Sequence, residues 1–441
     1  MLTGRTYVCT SPSIAVAIQR ASNTLSFDEL VVNITPRMVG AGPEIMKILN
    51  DPKAKEEGRK PLVSKAHDYI NPPLSQKQNS ELVQTQLDHF SDFVNARRGG
   101  EEIDLFYDIS RELTAASMHT FFGPRNPFST NPELVQKYWD WDDGLPGLMV
   151  GVLPSFTARK AHLGITAIVN GFHEYTKQGL HSQAAPFIQE RRRMHQDDEG
   201  LTDYQHALME AGISFGFNSN AGITSFWITN NIFCRPELLE EIREEVYNNA
   251  YEAPGTITAS KLKESCPLLN SVWRETVRLT APMTSARLVL EDTLLSDQYF
   301  LRKGSVVQIA GGLLHSDAEI WGPDVESFNP RRFYYNRNGT KTTADGEVID
   351  SKANAVHPAA FRGFGGGVSL CPGRFFAESE VTMLAAVLVL GFDMQPIYGE
   401  EWDPPRDETR FPLGVTRPSR DVRVKLTRRK GFEDVKWVLK V

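Results

Sequence analysis

Between Phe361 and Arg374 the chain reads FRGFGGGVSLCPGR, which sets Cys371 at the end of a glycine-rich loop and directly before a helix. The helix follows from Phe375, Phe376, Val381, Met383, Leu384, Val387, Leu388 and Leu390, a largely apolar segment with helix-forming alanines that Gly391 stops. Pro372 suits a first helical turn, where its missing N–H costs nothing. Backbone N–H groups and the helix dipole favour negative charge there, so the Cys371 sulfur is expected as a thiolate. Gly365, Gly366 and Gly367 let the backbone pass close to something flat and bulky. A thiolate beside such a loop is what an axial cysteine ligand to haem iron needs. Taken alone, Cys371 would read more simply as a small buried hydrophobe.

The fixed offsets decide between these readings. Phe364, Gly367, Cys371 and Gly373 reproduce F-x-x-G-x-x-x-C-x-G, and in this the chain resembles the cytochrome P450 family. The resemblance implies haem b, with Cys371 as iron ligand and Phe364, Gly365, Gly367 and Gly373 shaping its loop. A second segment carries Glu275 and Arg278 one helical turn apart. That spacing is nearly uninformative, since Glu56/Arg59, Glu190/Arg193 and Glu240/Arg243 share it and read as surface pairs. Its place about a hundred residues before the cysteine, with Arg332 in FNPRRF between, resembles the family's buried Glu–Arg–Arg network, in which a carboxylate needs both arginines as donors. Arg287 matches the family arginine that pairs with a haem propionate. Two departures weaken propionate contacts: Ser369 stands where Arg or His is usual, and no tryptophan precedes Trp139.

A long apolar helix is expected from about Tyr204 to Phe233, with Asn218, Ser219 and Asn220 between Gly216 and Gly222 at its centre. Such poor helix formers in a row predict a local distortion that admits ligand or water. By resemblance Ser219 takes the place of the family's acid and Asn220 that of its threonine, so both become catalytic candidates for handling protons. An asparagine there followed by Phe226-Trp227, together with DWDDGLPGLM from Asp140 to Met149, is similar to the branch containing sterol 7α-hydroxylases and prostacyclin synthase. Phe217, Ala221, Met283, Thr284 and Leu413 would line an apolar substrate pocket.

The supporting elements follow from pattern. Strands are expected at Thr6–Thr10, Leu30–Ile34, Arg287–Leu290, Tyr299–Leu301 and Val306–Ile309. Helices are expected from Pro12 and over Glu81–Asn95, Ile103–Phe122, Pro132–Trp141, Arg159–Lys177, His181–Met194 and from Arg235-Pro-Glu237 to about Asn249. The charged run Arg191–Gly200 reads as a solvated turn, Asn336–Pro358 as a loop, and Arg410–Leu426 as alternating strand. The result is a mainly α fold with a smaller β-rich part, one domain over residues 1–441. Its α-rich core covers about 51–285 and 359–395, and its β-rich parts about 5–50, 286–310 and 410–430.

A net charge of −7 argues against nucleic acid as the main partner. Four scattered cysteines imply a reducing compartment, with neither a disulfide framework nor a cysteine zinc site. No run of about 18 apolar residues is present. Eukaryotic members of the resembled family usually carry an N-terminal membrane helix; the reading here is a shortened chain, an incomplete gene model or a lost anchor. The resemblance implies the cytosolic face of the endoplasmic reticulum, with a cytoplasmic location and a peripheral membrane contact left open. The expected activity is insertion of one oxygen atom from O₂ into a terpenoid, steroid-like or other secondary-metabolite substrate. Electrons would come from an NADPH–cytochrome P450 reductase, docking near Arg374 and Arg428-Arg-Lys430. A reductase-independent isomerase or dehydratase acting on a peroxide, and a non-catalytic haem-binding relic, remain as alternatives.

Overall fold

Thr202 opens the longest helix. Its hydroxyl accepts from the Gln205 N–H at 3.3 Å while the Gln205 side chain accepts from the Thr202 N–H at 2.9 Å, a capping box. The helix then runs from Asp203 to Phe233, and every residue from Gly222 to Phe233 is buried. This central helix does not break at Asn218–Asn220. Asn218 Nδ2 donates to the Ser214 carbonyl, Ser214 Oγ to that of Ala211 and Thr224 Oγ1 to that of Asn220, each at 2.7 Å. Polar side chains that bond their own helix leave its ladder intact.

These relations come from a computed structural model that describes residues 4–51, 53–54, 56–335, 340–342, 348–350, 356–409 and 414–441. Helices Leu105–Phe122, Arg159–Lys177, Pro267–Thr280 and Arg374–Gly391 pack against the central one. The last is buried at every position from Glu380 to Gly391, as its continuous apolar sequence requires. Main-sheet strands run in the order Thr6–Cys9, Val306–Ala310, Thr284–Val289, Leu25–Ser26, the first pair parallel and the others antiparallel. Phe392–Pro396, Arg423–Arg428 and Glu101–Asp104 form a second, antiparallel sheet. One hydrophobic core runs from Val32 to Leu439, and a smaller one lies under the main sheet. The architecture is mainly α with smaller sheets.

Several expectations change. Leu30–Ile34 lies inside a helix, Asp28–Val39, with two acids in its first turn and Gly40 in the left-handed conformation after its end. A short β-branched run does not by itself separate strand from buried helix. The helix expected to end at Trp141 continues to Val150, and Gly144 within it lets Ala161 of helix Arg159–Lys177 pack directly against it. The Arg191–Gly200 run is no solvated turn: Met194–Asp198 form a π-helical turn, and Arg191, Met194 and His195 are buried. Within Asn336–Pro358, Thr340–Thr342 and Val348–Asp350 pair as a hairpin. Arg410–Leu413 fall outside the described residues, and the strand expected there begins at Arg423.

The spacing-matched pairs also divide. Arg193 and Glu190 form an exposed pair, whereas Arg59 pairs with Asp51 and Glu57 instead of Glu56. Arg243 is buried. Beyond Glu240 it donates to the carbonyls of Val389 and Phe392 and to Asp393, tying helix Pro236–Asn249 to the end of the helix that follows Cys371. Arg243→Ala strands those carbonyls and should cost about 3 kcal/mol, while Glu240→Ala, at an exposed carboxylate, should stay within about 0.5 kcal/mol. Urea unfolding of the two variants checks this.

Candidate haem-thiolate site

The cysteine loop closes on itself through the Cys371 N–H, which donates to the Phe364 carbonyl at 2.9 Å. The Phe364 ring packs against Trp273. The helix itself begins at Arg374 with Gly373 at its N-cap, so Pro372 lies in the turn before the helix and not in its first turn. Burial pushes the Cys371 thiol up, and the backbone N–H groups of Gly373 and Arg374, with the Arg374 charge, bring it only part of the way back. The helix start alone therefore does not carry the sulfur below its ordinary range; a cation bound there would favour the thiolate.

What the glycines approach is a pair of side chains. A Cβ on Gly366 would lie 2.4 Å from the Gln19 amide and 2.5 Å from Arg362 Nη1; Gly367, at φ +62°, meets Gln19 as well. Arg362 was not foreseen. It is 2% exposed, donates to Ser285 Oγ at 3.0 Å, and meets the Gln19 amide oxygen at 2.5 Å. Arg287 is fully buried beside it, donating to Ser369 Oγ at 3.0 Å and to its neighbour's carbonyl, with Nε unpartnered. Among the described residues neither guanidinium has an ion-pair partner. Burial, then the charge of Arg287, pulls Arg362 down to about 10, and burial lowers Arg287 also. Two buried arginines with no close ion pair next to a cysteine loop, Arg287 feeling only the more distant charge of Asp28, suit a flat group bearing two carboxylates, which is what haem presents. Arg362 supplies a charge that Ser369 cannot. Its only sequence signal was a basic residue nine positions before Cys371, outside the motif.

Behind this loop lies a carboxylate with no exposure. Glu275 accepts from Arg278 Nε at 2.8 Å and Nη2 at 2.9 Å, from Arg332 Nε at 3.0 and 3.1 Å, and from the Asn329 N–H at 3.1 Å. Arg278 reaches on to the carbonyls of His315 and Val325, and Arg332 to Trp321 and Asp324. The His315 Nε2 accepts from the Arg362 N–H at 2.7 Å. Burial holds that ring down to about 4, so it is neutral and can accept. The three residues paired from sequence thus meet, and the network reaches the arginines of the cysteine loop.

On the central helix, Ser219 and Asn220 point to different partners. Ser219 Oγ donates to Asp142 Oδ1 at 2.5 Å, and Asp142 is also paired with Arg417, which holds Asp143 at 3.1 Å. Asn220 Oδ1 accepts from the Val415 N–H at 2.8 Å, and Gly414 is needed there because a Cβ would sit 2.1 Å from that oxygen. The bond fixes the amide with Nδ2 turned away from Val415. Phe217 stacks on Phe121 at 4.0 Å, with Phe376 tilted against the same ring, so it belongs largely to an aromatic core; Gly216, on the Asn220 face, is exposed. Ala221, Met283 and Thr284 are half-buried, and Leu413 falls outside the described residues. Arg428 donates to backbone carbonyls of Val94, Asn95, Arg97 and Val435, a structural role rather than a docking one.

Fold and site define a haem-thiolate oxidoreductase. Residues 47–426 match the family described as Cytochrome P450, and the chain belongs to that family. Cytochrome P450 monooxygenase nodJ of Hypoxylon pulicicidum is 29% identical over 99% of this chain and 84% of its own. A cytochrome P450 monooxygenase of Gibberella zeae is 28% identical over 98% and 82%. The 7-alpha-hydroxycholest-4-en-3-one 12-alpha-hydroxylase of Homo sapiens is 30% identical over 57% and 50%. The chain is a monooxygenase whose cofactor is haem, held through a cysteine thiolate. Its activity calls for a small-molecule substrate and a redox partner.

Removing the Glu275 carboxylate leaves two buried guanidiniums facing each other. Glu275→Ala should cost about 3–5 kcal/mol and give insoluble or haem-free protein, whereas Glu190→Ala at the exposed pair should load haem normally. Haem content per chain and urea unfolding measure both.

Proposed function

We propose that this monooxygenase hydroxylates an apolar, terpenoid- or steroid-like molecule with electrons from an NADPH-dependent reductase, and that Cys371 is its iron ligand. The observation that carries the assignment of the cysteine is the closed loop before a buried helix, flanked by Arg287 and Arg362 without acid partners. The other cysteines fit poorly: Cys9 feels the charge of Arg362 but ends strand Thr6–Cys9 rather than a glycine loop before a helix, and burial pushes its thiol up; Cys266 is buried in the main core, and burial pushes Cys234 up to about 11. Bound haem supplies oxygen activation, the thiolate pushing electron density toward iron and favouring O–O cleavage. Arg287 and Arg362 would hold its carboxylates, and Glu275 with Arg278 and Arg332 would keep them in place.

The chain's own part is to orient substrate and pass protons. Asn220, pinned through Oδ1, offers Nδ2 as a donor to a water or substrate oxygen above the haem. Ser219 Oγ carries a proton that it shares with Asp142, so the acid missing from the central helix is supplied by helix Glu133–Val150. Gly216, Ala221, Met283, Thr284 and Val415 would line a mostly apolar wall, which suits a hydrophobic substrate; the sterol named in the human relative supports that class. The whole chain is read as one functional unit.

The test is direct. Reduced protein with carbon monoxide should show the long-wavelength band of thiolate ligation, and Cys371→Ala should abolish it. Turnover should require reductase and NADPH, with one atom of labelled O₂ entering the product. Asn220→Ala should keep haem and divert electrons to peroxide. Full-rate conversion of a peroxide without any electron donor would overturn the reading.

No helix among the described residues is long and apolar enough to cross a membrane. Val150, Val152, Leu153 and Phe156 are nevertheless 68, 58, 69 and 85% exposed on one connection, an apolar patch of the kind that enters a lipid interface. Its contact with the membrane surface is part of the proposal. Replacing Leu153 and Phe156 by Ser should lower sedimentation with phospholipid vesicles severalfold and leave haem content unchanged.

A further inference from the structure

The charged run that the fold buries carries a second polar cluster. His206 and Glu210 stand four residues apart on one face of the central helix, and the π-helical turn Met194–Asp198 brings His195 onto them. All three are at most 2% exposed. His195 Nδ1 and His206 Nδ1 are 2.9 Å apart, and Glu210 Oε1 lies 3.7 and 3.8 Å from them. A single point about 2.0 Å from each of the three atoms follows from these separations, and that is the length of zinc–imidazole and zinc–carboxylate bonds. The other carboxylate oxygen, Glu210 Oε2, is buried with no hydrogen-bond partner among the described residues.

We propose that His195, His206 and Glu210 bind a divalent transition-metal ion of the zinc class, structural in role and separate from the haem site. His206 lies along the central helix about 21 Å from Asn220, at 1.5 Å per residue, so the ion has no part in oxygen chemistry. It fastens the π-helical turn to the first turns of the central helix. Arg191 donates to Glu210 Oε1 at 2.7 Å and to the Met209 carbonyl at 3.2 Å, orienting the carboxylate from outside. Its positive charge opposes a bare dication and selects an anionic fourth ligand, hydroxide or chloride, on the ion. Without metal the same atoms form a hydrogen-bonded histidine pair beside an ion pair.

The experiment uses the full haem-loaded chain, stripped with a chelator and then equilibrated with zinc. One zinc per chain should survive removal of free metal, measured by plasma mass spectrometry. Its K-edge X-ray absorption should report nitrogen and oxygen neighbours including two imidazoles. Loss of a direct ligand exceeds the 10- to 100-fold typical of outer-sphere changes, so His206→Ala should weaken zinc at least about 100-fold, while half-buried His67→Ala changes nothing. No retained zinc, equal retention by His206→Ala, or sulfur in the zinc shell would overturn the proposal. If His206→Ala is insoluble, the unaltered protein's spectrum decides alone: a two-imidazole shell supports the site and any other shell rejects it.

Discussion

Glu275 gives up all contact with water to sit between Arg278 and Arg332, and the haem side of the molecule hangs on that exchange. A buried carboxylate is tolerable only when every lone pair is occupied. Here four N–H groups converge on two oxygens, with that of Arg332 Nε shared between both. The donors then spend their remaining hydrogens on four backbone carbonyls of one short stretch, at His315, Trp321, Asp324 and Val325. Because His315 in turn receives the N–H of Arg362, the position of a guanidinium at the cysteine loop is coupled to a carboxylate on another helix. Loops that would otherwise be free to settle separately are thus held as one frame around the haem.

The central helix serves as the other wall, and its polar centre is consistent with that task. Asn218 and Thr224 satisfy themselves on their own helix, while Ser219 and Asn220 reach across to Asp142 and to the Val415 backbone. The two neighbouring positions therefore anchor two different elements, which fixes the helix against helix Glu133–Val150 on one side and the 414–416 segment on the other. Trp227 adds a bond to the Thr416 carbonyl at 2.7 Å. Rigid support of this kind is what a site needs if its donors are to be held in one geometry.

Much of this was legible in the residues. The central helix comes from composition along one element, while the F-x-x-G-x-x-x-C-x-G offsets and the order of Glu275, Arg278 and Arg332 were read through their resemblance to the family's pattern. Local spacing failed where a pattern has two solutions. Leu30–Ile34 is β-branched and apolar, and only packing on neighbouring helices makes it helical. Arg243 and Arg193 share one spacing with a glutamate, yet one is buried on backbone carbonyls and the other lies in solvent. Arg191–Gly200 looked like a solvated run because charge density along a sequence says nothing about which face a turn presents, and Arg191, Met194 and His195 are the ones turned inward.

Helix type and period, the placement of Cys371 before a helix, and the family itself follow from chemistry within a few residues of each site. Which side chains meet across the fold does not, because contact requires chain segments tens or hundreds of residues apart to be brought together by the burial of their apolar faces. Arg362 beside Arg287, Asp142 under Ser219 and His195 against His206 are such meetings. Their partners were written in the chain, but only tertiary packing chose them, since removal from water makes a polar group take whatever donor or acceptor the core places within reach.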